Sequence, residues 1–217
     1  LDRLQTQHPG AWTELAFTNA FELLVATILS AQCTDARVNQ VTPSLFARYP
    51  NPVSLSAATQ EELEPQIQPT GFFRMKSRSL LGMSRALVEK HGGEVPADME
   101  ALIKLPGVGR KTANVVLGHA FRIPGLPVDR HVLRVANRLG LINTEDAVKA
   151  EEQLCKQMPP DRWTMTSDTL ILHGRPVCNP KPHCDRCVIT ADCRYFQRLG
   201  PKASRRSRKP RQATRRK

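Results

Sequence analysis

Leu105-Pro106-Gly107-Val108-Gly109-Arg110-Lys111-Thr112 is the stretch whose reading decides the fold. Before it, Asp98 to Lys104 has the pattern of a short helix with Leu102 and Ile103 on one side. After it, Ala113, Val116, Leu117 and Ala120 recur at helical spacing, predicting a second helix over Lys111 to Ala120. Pro-Gly-Val-Gly between them is a tight turn in which two glycines permit positive φ and leave backbone N–H groups uncovered. Uncovered donors at a helix start suit an anion such as phosphate, because the helix dipole points the same way. Lys111 falls in that first turn, beside the anion site, and is a candidate amine nucleophile. The plainer alternative is an αα-hairpin with a solvated lysine, and the turn alone does not decide between them.

Further along, Arg122-Ile123-Pro124-Gly125-Leu126-Pro127-Val128 holds two prolines and a glycine, so it is extended. Asp129 follows as an N-cap for a helix with Val132, Ala136 and Leu139 on one face. The helix after Lys111 carries the chain away by about 17 Å at 1.5 Å per residue. The extended segment can span up to about 24 Å, enough to return Asp129 to the end where Lys111 lies. The simpler role for Asp129 is the cap alone.

Helical spacing recurs almost everywhere, and the chain reads as all-α. Asn19 with Glu22 three residues on starts a core helix through Phe21, Leu24, Val25, Ile28 and Leu29. Asp35 is expected to cap the next helix, which Pro43 should break or kink. Pro50, Pro52 and Ser54 mark a loop, followed by a short helix near Glu61 to Ile67. A turn over Gln68 to Arg74 bears Phe72 and Phe73, and a helix over Lys76 to His91 buries Leu80, Leu81, Ser84, Leu87 and Val88.

The 217 residues carry a net charge of +12, and nearly all of that surplus is in one place. Arg198 to Lys217 holds ten Lys or Arg and no acid, with almost nothing apolar, which predicts a disordered basic tail. It fits a solubilising extension, in a eukaryote an import signal, or a sequence-blind arm for DNA. No apolar run approaches the length of a membrane span, and there is no signal-peptide core. The chain opens on Leu1, so nothing upstream of it is legible. Four of the six cysteines fall between Cys178 and Cys193, a crowding that suggests a metal site rather than a disulfide framework. Four thiolates at Cys178, Cys184, Cys187 and Cys193 suit tetrahedral zinc or a [4Fe–4S] cluster. Cys33 and Cys155 fall on predicted helices and read as buried thiols.

Leu-Pro-Gly-Val-Gly-Arg-Lys-Thr-Ala-Asn-Val-Val followed by Val128-Asp129-Arg130-His131 resembles the endonuclease III family, DNA glycosylases of the helix-hairpin-helix, Gly/Pro…Asp superfamily. The similarity covers nearly all of residues 13–197, including Ser30-Ala31-Gln32, Ile171-Leu172-His173-Gly174-Arg175 and the cysteine cluster. The resemblance implies two helical domains flanking a DNA-binding cleft. One would be a barrel-like domain over 13–123 with the hairpin; the other, 1–12 plus 124–197, would carry an iron–sulfur loop, and 198–217 would be the tail. It implies removal of oxidised pyrimidines from duplex DNA, with Lys111 attacking C1′, Asp129 stabilising the positive charge, and β-elimination through a Schiff base. A lyase restricted to abasic sites or another lesion, or a non-catalytic Fe–S DNA-binding module, are the alternatives, and the module would dispense with Lys111 and Asp129.

The resemblance also implies that Gln32 fills the space of the extruded nucleotide and that Phe72 is a wedge where the family often has Leu. Pro106, Gly107, Val108, Gly109, Arg110 and His131 would contact DNA. It implies a [4Fe–4S] cluster on the four cysteines, although the first spacing here is one residue shorter than the family's. A monomer acting on duplex DNA with damaged or abasic sites, inside the cell and in the cytoplasm or nucleoid if bacterial, completes the expectation.

Overall fold

The computed structural model describes residues 1–199. Among these the regular structure is helical and contains no strand. In chain order the helices are α1 (Asp2–Gln7), α2 (Ala20–Leu29), α3 (Asp35–Arg48), α4 (Pro52–Ser56), α5 (Gln60–Ile67), α6 (Phe73–His91), α7 (Met99–Leu102), α8 (Arg110–Ala120), α9 (Arg130–Leu139), α10 (Ala147–Cys155), α11 (Trp163–Gly174) and α12 (Arg194–Leu199). No helix among them is long and apolar enough to cross a membrane. The basic tail lies outside the described residues, apart from Arg198 and Leu199 in α12.

The described chain forms two compact units, Thr13–Pro127 and a second one joining Leu1–Trp12 to the residues from Val128 onward. At the centre of the first is α2, buried almost all round from Phe21 to Leu29, as a helix with no polar face must be. Asn19 caps it, accepting from the Glu22 N–H, while the Glu22 carboxylate accepts from the Thr18 N–H and hydroxyl. Helices α3, α6 and α8 pack on α2, and α4 and α5 pack on α6. Leu23, Leu24, Leu63, Ile67, Leu80, Met83, Leu87 and Leu102 are fully buried there. Each such side chain contributes about 2 kcal/mol of transfer free energy.

Some local expectations are corrected. Thr34, not Asp35, caps α3, because its hydroxyl reaches the Arg37 N–H and Asp35 becomes the first helical residue. Pro43 neither breaks nor ends α3: the helix runs on to Arg48, with Pro43 on its exposed side. The loop expected around Pro52 is helix α4, since Pro is tolerated in a first turn and Asn51 and Ser54 form a capping box. Ile103, expected beside Leu102 on a packed side, is 36% exposed while Leu102 is fully buried, because α7 ends between them.

Helix α6 begins at Phe73, three residues ahead of the expected start, and stops where Gly92 turns left-handed and the Gly93 N–H bonds the Leu87 carbonyl. The segment after α8 is extended and packs into the first unit: Leu126 is fully buried, and a Cβ on Gly125 would lie 2.7 Å from the Asn114 carbonyl oxygen. Cys33 lies in the turn after α2 rather than on a helix, half-buried against the core, and Cys155 ends α10, also half-buried. In the second unit α9 packs on α11 and α12, and α1 on α11, around Leu4, Val132, Val135, Ala136, Leu154 and Leu170.

Candidate active site

The hairpin is built almost entirely from backbone. Asp98 caps α7 by accepting from the Ala101 N–H at 2.8 Å. The chain then folds over through Leu105 N–H to Leu102 O and Val108 N–H to Leu105 O, at 3.0 and 3.1 Å. Gly107 has φ +77°, and a Cβ there would stand 2.6 Å from Ser79 Cβ on α6. That position needs glycine for both backbone conformation and space. Pro106 is seated over Gly82, whose absent side chain makes room for the proline ring. Leu105 and Val108 are buried as anchors, so Pro106, Gly107, Gly109, Arg110 and Lys111 are left exposed between them.

Gly109 is the N-cap of α8, with extended backbone and no side-chain bond to the first turn. Ser, Thr, Asp or Asn at a cap would cover one of the leading N–H groups. A glycine leaves those donors to an incoming anion. Lys111, exposed in that turn, stands where the sequence placed it.

Asp129 caps α9, and both cap bonds go to one oxygen: Oδ1 accepts from the His131 N–H at 2.7 Å and the Val132 N–H at 2.9 Å. The other carboxylate oxygen is outside the cap. Lys111 and Asp129 belong to different compact units. His131 is half-buried, with Nδ1 3.0 Å from the Arg134 guanidinium, and Gly174 of α11 packs against its Cβ. Burial holds its pKa below the ordinary histidine value, opposed by the Asp129 carboxylate and reinforced by the arginines around it.

Gln32 and Phe72 share an unusual property. Both have left-handed backbone, φ +53° and +49°, and both are exposed, Phe72 to 57%. For non-glycine residues this conformation costs about 1–2 kcal/mol and persists where surrounding structure imposes it. Phe73 instead turns inward against the core. The turn's composition marks the two aromatics alike, and it is the family resemblance that names Phe72 as the wedge.

Cys178, Cys184, Cys187 and Cys193 line a single pocket together with Pro182, Tyr195 and Phe196. Two short 3-10 turns, Cys184–Arg186 and Thr190–Asp192, carry the loop around it. Burial, then the neighbouring cysteines, raises the Cys184 and Cys187 thiols above their ordinary pKa. Four sulfurs gathered around one pocket suit a cationic group that would hold them as thiolates. Among the described residues, no group of three His, Cys, Asp or Glu side chains is arranged to hold a metal ion.

Two arginines overlooked in the sequence organise this loop from α9. Arg138 donates to the carbonyls of Cys178, Asn179 and Pro180 and to the Cys178 sulfur at 3.4 Å, and stacks on the Tyr195 ring. Arg134 donates to the Cys178 and Gly174 carbonyls. Their signal was present, since Arg130, Arg134 and Arg138 recur four apart, but so regular a charged stripe reads as a solvated face.

Residues 25–160 match the model of the HhH-GPD superfamily base excision DNA repair proteins, and the chain belongs to that family. It is 49% identical over 192 residues to endonuclease III of Synechocystis sp., covering 88% of both chains. It is 44% identical to endonuclease III of Bacillus subtilis, covering 93% of both. A solved structure of a trapped endonuclease III–DNA covalent intermediate superposes with a TM-score of 0.86 at 43% identity, over 91% of this chain and 94% of that one. The chain is a base excision repair enzyme of the DNA glycosylase and AP lyase type.

Proposed function

We propose that the enzyme removes oxidised pyrimidines from duplex DNA and then cuts the abasic strand through a Schiff base on Lys111. The observation that carries this reading is the glycine-capped start of α8, without a side-chain cap bond, and an exposed lysine in its first turn. A phosphate bound by the leading N–H groups would set the sugar's register, and the amine beside it attacks C1′. The C1′–base bond breaks and the base leaves with its electron pair and a proton. The nitrogen lone pair then opens the sugar ring, the C1′–O4′ bond breaking as O4′ takes up a proton, which leaves an imine. This acidifies the neighbouring C2′–H, and loss of that proton expels the 3′ phosphate. Asp129, with one oxygen tied into the α9 cap, offers the other to the positive charge at the sugar and to the Lys111 proton.

The target base has to leave the stack before its glycosidic bond is accessible. In our reading Gln32 fills the space it vacates and Phe72 wedges between bases of the opposite strand. Their left-handed, exposed turns support this by projecting both side chains from the core. Pro106, Gly107, Val108, Gly109, Arg110 and His131 contact the strand around the lesion, Val108 through its backbone because its side chain is buried.

Cys178, Cys184, Cys187 and Cys193 would hold a [4Fe–4S] cluster, whose part here is to fold the loop rather than to take part in base removal. Their shared pocket and the Arg138 bonds to the shortened segment after Cys178 support the assignment. The enzyme acts as a monomer on damaged or abasic duplex, wherever the cell keeps its DNA.

The test is incubation with a thymine glycol duplex and, in parallel, an abasic duplex, with borohydride to reduce any imine. A covalent adduct on both that vanishes in Lys111→Ala is expected. An adduct on the abasic duplex alone would overturn the proposed lesion class; adduct on neither, with tight binding, would overturn the mechanism.

A further inference from the structure

Lys76 is 3% exposed, although it stands only four residues after Phe72 near the start of α6. Its Nζ donates to the Leu29 carbonyl at 2.7 Å and the Thr70 carbonyl at 2.8 Å. Leu29 is the last residue of α2, three before Gln32. Thr70 ends the 3-10 turn Gln68–Thr70, two before Phe72. Its backbone takes part too, since the Lys76 N–H bonds the Phe72 carbonyl at 3.1 Å. One residue thus joins the bases of both left-handed turns. Each carbonyl lies at a helix C-terminus, where the dipole favours a cation.

A buried ammonium is costly, and burial lowers the Lys76 pKa from its usual value, opposed by the neighbouring Cys33. An apolar side chain would fill the same volume without that cost but would leave two carbonyls unbonded and the turns unconnected. The charge-assisted bonds are directional, which apolar packing is not.

We propose that Lys76 is a positioning residue that locks the Gln32 turn and the Phe72 turn into one rigid probe, so that filling the vacated stack and wedging the opposite strand happen together. This rests on the DNA roles assigned above to Gln32 and Phe72. The coupling makes its largest difference where a base must be displaced and its smallest at an abasic site, which has no base to extrude.

The test is Lys76→Met in the full chain, which keeps the bulk and removes the donors. Three quantities are read: hydrogen exchange at the Cys33 and Gly71 amides, which bond the Ser30 and Gln68 carbonyls within the two turns; kcat/KM for base removal from a thymine glycol duplex; and borohydride trapping on a preformed abasic duplex. Exchange is expected to accelerate at both amides, base removal to fall about tenfold, and trapping to stay within about twofold. Parallel loss of base removal and trapping overturns the proposal, as does acceleration in one turn alone or unchanged base removal. Lys76→Gln, with its donors on a shorter arm, is held to the same outcomes if the Met variant does not fold. Gln32→Ala and Phe72→Ala are run alongside. If neither slows base removal, the DNA roles fail and the probe role with them, while the exchange data still report whether Lys76 ties the turns.

Discussion

The hairpin around Lys111 and the cysteine loop are both short, irregular segments between helices, yet they are held in opposite ways. The hairpin is fastened by main chain and packing: buried Leu105 and Val108, a left-handed Gly107 against Ser79, and Pro106 over Gly82. The loop from Cys178 to Cys193 has two 3-10 turns and is gathered by Arg134 and Arg138 reaching its carbonyls. A site that must place an amine and a row of N–H groups to within tenths of an ångström gains from rigid backbone. The cysteine loop takes its fastening from α9, through side chains that reach its carbonyls.

The largest effect should be chemical and confined to the hairpin. Lys111→Ala is expected to lower borohydride trapping and strand cleavage by roughly 10³-fold or more, with unfolding unchanged because the side chain is exposed. A variant that still traps would move the nucleophile elsewhere. Next, Cys184→Ser should destabilise the second unit by about 3 kcal/mol, near 10 °C in melting temperature. Hydrogen exchange should show the loss in α9 and α11 and not in α2 or α6. Uniform loss would mean the two regions are not held independently.

Gly107→Ala should cost about 2 kcal/mol, since the added Cβ meets both an unfavourable φ and Ser79. Denaturant unfolding measures it, and Ser79→Gly should recover the steric part. Asp129 separates cap from chemistry: Asp129→Ala should lose about 1 kcal/mol and base removal, whereas Asp129→Asn keeps the cap to within about 0.5 kcal/mol and still loses base removal. Equal activity in Asn and wild type would reduce Asp129 to a cap. The smallest effect is Phe72→Ala, expected to move stability by less than about 0.5 kcal/mol while slowing base removal. A large loss of stability would show that Phe72 is packing, not probe.

Much of this was legible in the chain itself. Helical period, the Asn19 cap, the Pro-Gly-Val-Gly turn, Lys111, the Asp129 cap and the cysteine crowding are local patterns, and local backbone preference and side-chain spacing suffice to produce them. Where neighbouring residues compete for one local role, the reading slipped. Thr34 displaced Asp35 as cap, and Pro52 entered a helix that its neighbours Asn51 and Ser54 made possible.

What required tertiary structure is the set of contacts between residues far apart in the chain. Lys76, between Met75 and Ser77, looks like any solvated cation until folding brings the end of α2, 47 residues away, against it. Arg138 looks like part of a charged stripe until Cys178, 40 residues on, is set in its reach. Phe72 and Phe73 are indistinguishable as letters, and only the left-handed turn sends one outward and the other into the core. The sequence by itself determined which local elements form and which reactive groups they carry. Tertiary packing decided which of those groups are buried, bonded or left exposed to meet a substrate, because burial and long-range hydrogen bonds depend on what other segments the folded chain brings alongside.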